Sequence, residues 1–145
     1  MYSSTASPFS SGRASALANA YARVGVETSV NVASAHQLIQ LLFDGYIDSV
    51  MQARAAMRMR QIEAKGKAIS KAVRIIDEGL KAGLNLREGG RLAEDLSALY
   101  AYVTVRLTYA NLRNDEAALE ECVTLISPLR DAWTEIGPKV EAAAR

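Results

Sequence analysis

Among 145 residues the chain has one cysteine, one histidine, one tryptophan and three prolines. A lone Cys122 can form no internal disulfide and no thiolate set for zinc, and it fits a packed side chain in a reducing compartment. One histidine excludes a di-iron bundle, which needs Glu-x-x-His pairs on two helices. Net charge is +1 with acids and bases interspersed, so the basic face that nucleic-acid binding requires is missing. The one basic cluster, Arg54, Arg58, Arg60, Lys65, Lys67 and Lys71, is diluted by Glu63 and reads as solvated helix surface. Lys65-Gly66-Lys67 lacks the upstream glycine and following Ser or Thr of a phosphate loop. No apolar run approaches the roughly 20 residues of a membrane span. The opening residues MYSSTASPFSSGRAS hold no apolar core of signal-peptide type, so the cytoplasm is the expected location.

What is present is helical periodicity. Half of the residues are hydrophobic, and none of them alternates with polar neighbours as a strand requires. Residues 1–12 are poor in core formers and are expected to be a disordered tail. Residues 13–33 form a short helical and extended strap, and residues 34–136 a bundle of four antiparallel helices. Residues 137–145 form a flexible tail. Ser34-Ala-His-Gln37 matches a capping box that starts the first helix. Its stripe is Leu38, Leu42, Tyr46, Ser49, Val50, Ala53 and Met57. A second helix over about 62–82 carries Ile62, Ile69, Val73, Ile76 and Leu80, with Gly83 as a left-handed terminator. The third starts near Gly90 and runs to about Leu112. Asn114 then starts a fourth, with Leu119, Val123, Ile126 and Trp133, which ends near Ile136 and is kinked or divided at Pro128.

The third helix is apolar on two faces. At 100° per residue, Leu92, Leu96, Leu99, Tyr100, Val103, Leu107 and Ala110 gather in one quadrant as the core stripe. Ala98, Tyr102, Val105, Tyr109 and Leu112 gather on the opposite side. A helix packed in its own domain needs one stripe, so the second must be covered by neighbours or by a partner helix lying in a groove. The fourth helix is also broad in its apolar arc, through Leu125, Leu129, Ala132 and Ile136. The segment with Leu17, Tyr21, Val24 and Val26 is too short to fold alone. It either packs permanently or serves as a removable cover.

Five blocks, AYARVGVETS (20–29), SAHQLIQLLFDG (34–45), AKGKAISKAVRIIDEGLKAGLNL (64–86), GGRLAEDLSALYAYVTVRLTYANLRND (89–115) and LRDAW (129–133), closely resemble the FliS family of flagellar secretion chaperones. The resemblance covers residues 19–136 in order. It implies a small helical bundle that binds the C-terminal segment of new flagellin in the cytosol, prevents premature assembly and helps delivery to the flagellar export apparatus. It implies no enzymatic activity and no cofactor. By resemblance, Ile69, Val73, Ile76 and Leu80, and the stretch from Tyr100 to Asn111, supply the client groove, while Tyr21 and Val24-Gly-Val26 shield it. Ala35 stands where the family has proline after the cap, and Pro128 falls in what is ordinarily uninterrupted helix.

Competing readings remain. His36 as a phosphotransfer site would need an exposed mid-helix setting, and it lies in a first turn. Trp133 suits a core anchor better than a ligand platform. A homodimer pairing the tyrosine faces, and other flagellar regulatory proteins using the same groove, are further candidates for what covers the surplus surface.

Overall fold

A computed structural model of the chain describes residues 34–144. The tail 1–12 and the strap 13–33 lie outside that range. Four helices follow one another: α1 (Ala35–Arg58), α2 (Ile62–Arg74, continued as a π-helical stretch Ile75–Leu80), α3 (Leu86–Arg113) and α4 (Glu116–Ala144). Among the described residues there is no strand, and no helix is long and apolar enough to cross a membrane.

The starts and stops have local causes. Ser34 Oγ accepts from Gln37 N–H (3.1 Å), and Gln37 Oε1 accepts from Ser34 N–H (3.0 Å), so the capping box is complete with alanine at position 35. α1 ends in a Schellman motif: Gln61 N–H donates to the Ala56 carbonyl, Arg60 N–H donates to the Met57 carbonyl, and Arg60 has φ 58°. α2 loosens after Arg74 into i→i+5 bonding, with Lys81 N–H on the Ile76 carbonyl at 2.7 Å. Within that stretch Gly79 lies so near α1 that an added Cβ would stand 3.0 Å from a Leu42 methyl. Gly83 does not have the expected left-handed conformation; its N–H bonds back to Gly79, and the chain leaves α2 through a right-handed turn. Gly90 takes the special conformation instead, at φ 60° and ψ −140°, a region open essentially to glycine alone. It bends α3 away from a first turn capped by Asn85.

Asn114 closes α3 in the left-handed conformation, rather than opening α4 as its side chain suggested. Asp115 is the cap of α4, accepting from Ala118 N–H at 3.2 Å. α4 is not divided at Pro128 and does not stop near Ile136. It runs through both prolines to Ala144, so residues 137–144 are helical where a tail was expected. Each proline withholds one N–H from the carbonyl four residues back. Those carbonyls belong to Thr124 and Thr134, both at exposed positions where water can reach.

Long-range bonds set the topology. α1 meets α4 through His36–Trp133, Tyr46–Cys122 and Arg54–Glu116, in reversed order along the two helices. α2 meets α3 through Lys65–Asn111 and Asp77–Thr104, also reversed. The helices therefore run up, down, up and down around one core, in which Tyr46, Tyr100, Ile39, Leu42, Leu107 and Ile126 are among the largest fully buried side chains. Two stripe positions and one charged residue depart from expectation. Ile62, in the first turn of α2, and Leu92, in the first turn after the Gly90 bend, are exposed because they stand at the two ends of the bundle. Lys65, read as solvated, is only 5% exposed. Its ammonium donates to the Asn111 carbonyl and to Asn114 Oδ1, which satisfies the C-terminus of α3.

At the α1–α4 seam, His36 stacks on Trp133 with ring centroids 4.7 Å apart. His36 Nε2 carries its proton and donates to the Trp133 carbonyl, and Trp133 Nε1 returns a bond to the His36 carbonyl. Gly137 makes room: an added Cβ would lie 2.7 Å from His36 Cε1. Helix propensity alone favours Gly137→Ala by about 1 kcal/mol. The crowding predicts the reverse, a loss of roughly 1–3 kcal/mol, read as a lower urea midpoint; a gain would show that the ring moves aside freely.

The two buried tyrosines give a second prediction. Tyr46 donates to the Cys122 carbonyl at 3.0 Å, whereas Tyr100 Oη is buried without a partner among the described residues. Tyr46→Phe is expected to cost about 1 kcal/mol, and Tyr100→Phe to leave stability unchanged or raise it by a similar amount. Equal losses in urea denaturation would contradict the difference.

Candidate partner-binding surface

The core stripe of α3 faces inward as Tyr100, Val103, Leu107 and Ala110, all fully buried. Half a turn away, Tyr102 is 45% exposed, Val105 66%, Tyr109 41% and Leu112 76%. Ala98 lies on the same outward face and is exposed. α2 and α4 flank α3 without covering this side. The second apolar face is thus left bare by the described helices, along about 15 Å of helix from Tyr102 to Leu112.

Its edges are polar and ordered. On the α4 side, Tyr102 Oη donates to Glu121 (2.5 Å), and Arg106 Nε donates to the same carboxylate (2.8 Å). The Arg106 guanidinium also lies 4.9 Å from the Tyr109 ring centroid, a cation–π contact. The hydrogen bond from Tyr102, and then Arg106, hold the Glu121 carboxyl below its usual range. The same bond pushes the Tyr102 hydroxyl up. On the α2 side, Thr104 Oγ1 donates to Asp77 at 3.2 Å. The Tyr102 hydroxyl is thereby tied to the α4 edge, and the Tyr109 ring is contacted by the Arg106 guanidinium.

The other groove residues fare differently. Ile69, Ile76 and Leu80 lie in the core and cannot meet a partner unless the bundle opens. The period that aligns them on α2 aligns them with the interior. Val73 packs against the core half-buried. Asn111 is half-buried too, and its carbonyl is taken by Lys65. On α4, Leu125 and Leu129 are half-buried, whereas Ala132 and Ile136 are exposed. Leu17, Tyr21, Val24 and Val26 lie outside the described residues. The Arg106–Glu121 pair was missed, although Arg106 stands four residues after Tyr102 and three before Tyr109, the spacing of neighbours on one helix face.

Among the described residues no reactive group accompanies this surface. His36 is buried in its stack with Trp133. Cys122 is fully buried, its thiol pushed up to about 12 by burial, which leaves it inert at neutral pH. Among the described residues no group of three or more His, Cys, Asp or Glu could hold a metal ion.

Residues 17–140 match the family model described as flagellar protein FliS. The chain is similar to the flagellar secretion chaperone FliS of Salmonella typhimurium, at 51% identity over 120 residues, 83% of this chain and 89% of the relative. It is 42% identical to the Escherichia coli chaperone of the same name over 116 residues, 80% of this chain and 85% of the relative. The Vibrio cholerae chaperone is 34% identical over 120 residues, covering 83% and 88%.

The pH dependence of the polar edge follows from its sign. The folded pKa of Glu121 is lowered, so its contribution to stability is present above the unfolded value and lost as pH falls through the folded one. Between about pH 6 and about pH 3 the wild-type urea midpoint should fall more than that of Glu121→Gln. Parallel acid limbs would contradict the assignment.

Proposed function

The chain belongs to the FliS family, and on that premise we propose that it is a cytosolic export chaperone that holds the C-terminal segment of flagellin on the outward face of α3. The observation that carries this reading is the bare stripe of Tyr102, Val105, Tyr109 and Leu112 on an otherwise packed helix. A monomer seldom leaves contiguous apolar surface uncovered without a use for it. The client segment is disordered alone and becomes helical when its apolar face is buried, so a chaperone that buries that face first blocks assembly by competition. Delivery to the flagellar export apparatus then hands over a segment that is still folding-competent. Leu17, Tyr21, Val24 and Val26 are proposed as the cover of the stripe before the client arrives.

Magnitudes limit how the client sits. Burying a whole Val, Leu or Tyr side chain is worth about 1.5–3 kcal/mol, and these four are already partly buried. The stripe therefore supplies about 4 kcal/mol, while association and ordering cost roughly 4–15 kcal/mol. A client that holds must reach beyond α3. Ala132 and Ile136 on α4, and the exposed Met59 and Ile62 at the bundle end, offer that extra area.

The test is a charge placed on the stripe. Val105→Glu should leave the circular dichroism and melting temperature close to wild type, because Val105 is mostly solvated. Its affinity for a flagellin C-terminal peptide, measured by calorimetry, should fall at least about tenfold. Undiminished binding would sink the docking assignment. Concentration-dependent dimerisation in light scattering that the peptide fails to disturb would favour a homodimer pairing these faces.

A further inference from the structure

Between α2 and α3 runs a groove of about 690 Å³ that borders the outward stripe. Its α3 wall includes Asn111, the residue before Leu112, and its α2 wall includes Gly66 and Ser70 with Glu63, Lys67, Lys71 and Arg74. Two contacts fix how the helices run past each other: Lys65 donates to the Asn111 carbonyl, and Thr104 donates to Asp77. The α2 residues between Lys65 and Asp77 therefore lie alongside the α3 residues between Thr104 and Asn111, among them Val105 and Tyr109. A helix with its side chains is roughly 10–12 Å across, and packed helix axes stand roughly 8–10 Å apart. A helical segment lying on the stripe thus overhangs the flank of α2.

The two edges of the stripe differ in charge. On the α4 edge Arg106 is paired with Glu121. On the α2 edge two acids are engaged, Asp77 by Thr104 and Glu78 by Arg74. Lys67 and Lys71 are exposed, and among the described residues neither forms an ion pair. Glu63, one turn before Lys67, is the single acid that lines the groove. Lys67, Lys71 and Arg74 follow spacings of four and three, so they share one face of α2. This face is the crest of the helix, because Lys67 and Lys71 also line the groove on the α1 side. Val105, Tyr109 and Leu112 on α3 have the same spacings. A basic row and an apolar row therefore run side by side.

We propose that the α2 crest recognises carboxylates on one flank of the segment docked on α3. The apolar row of that segment lies on Val105, Tyr109 and Leu112, and acidic side chains beside it meet Lys67 and Lys71. The α4 edge, with its charges already paired, makes no such demand, so the requirement is one-sided. Nucleic-acid phosphate fits less well, since two lysines between Glu63 and an apolar row make no continuous basic face. Exposed ion pairs add little to affinity and are screened by salt. Charges at the rim of an interface act chiefly on the rate of association. The inference rests on the docking reading above and adds to it the chemistry of the client's flank.

The experiment measures association and dissociation rates of a flagellin C-terminal peptide on the full chain at two salt concentrations. In roughly 50 mM salt, the double variant Lys67→Gln with Lys71→Gln should slow association about three- to tenfold and leave dissociation nearly unchanged. In roughly 500 mM salt its association rate should match that of wild type. Replacing both lysines by glutamate should slow association further in low salt. Melting temperatures should stay close to wild type, because both positions are exposed. Unchanged or faster association of the double variants in low salt overturns the inference and leaves the docking reading standing. Single-stranded DNA that binds wild type and not the glutamine variant also overturns it, in favour of phosphate. Failure of the peptide to bind wild type overturns the docking reading and the inference together.

Discussion

The rest of the structure depends on the antiparallel seam between α1 and α4. It is closed at three levels: Arg54 and Arg58 on Glu116 at one end, Tyr46 on the Cys122 carbonyl in the middle, and the His36–Trp133 stack over Gly137 at the other. α4 carries two prolines and lacks two of its own backbone bonds. It stays one helix because α1 holds it on both sides of Pro128. With α4 fixed against α1, and α2 drawn close to α1 at Gly79, α3 is left with a neighbour on either side and, among the described residues, none behind.

That position explains why the apolar surface on α3 is exposed without being disordered. Tyr102 and Tyr109 are set by the Glu121–Arg106 pair, so their rings present area while their orientation is already restricted. A surface ordered in advance loses less entropy when a partner settles on it. On the α2 side Thr104 bonds Asp77, and the adjoining groove is lined by Gly66 and Ser70 together with the charged Lys67, Lys71 and Arg74. Burial and surface thus divide along α3 by rotation about its axis, with the interior at one pole and Val105 at the other.

Several features could be read from neighbouring residues alone. The Ser34–Gln37 box, the stripe of α1 and the two faces of α3 rest on spacings within one helix, and the structure contains each of them. The opposite side of α3 was recognisable as surplus because no helix in a small bundle needs a second stripe. Where the reading strayed, the deciding partner was remote in sequence. Ile69, Ile76 and Leu80 have the same periodicity whether they face a client or the core, and only the placement of α1 sends them inward. Asn114 and Asp115 are both good caps; the approach of Lys65 selects Asn114 as the end of α3 and leaves Asp115 to begin α4.

The amino-acid sequence by itself determined the class of fold, the number of helices and the residues on each helix face, because these follow from the helical period and from caps spanning three or four positions. Tertiary structure decided which faces meet. It converted Lys65 from a solvated base into a buried ligand of the α3 terminus, tolerated Pro128 and Pro138, and left the second face of α3 turned outward. Each of these depends on residues 46 to 97 positions apart coming within hydrogen-bond distance, or on helix ends that meet only when the bundle closes. Local periodicity carries no record of such encounters.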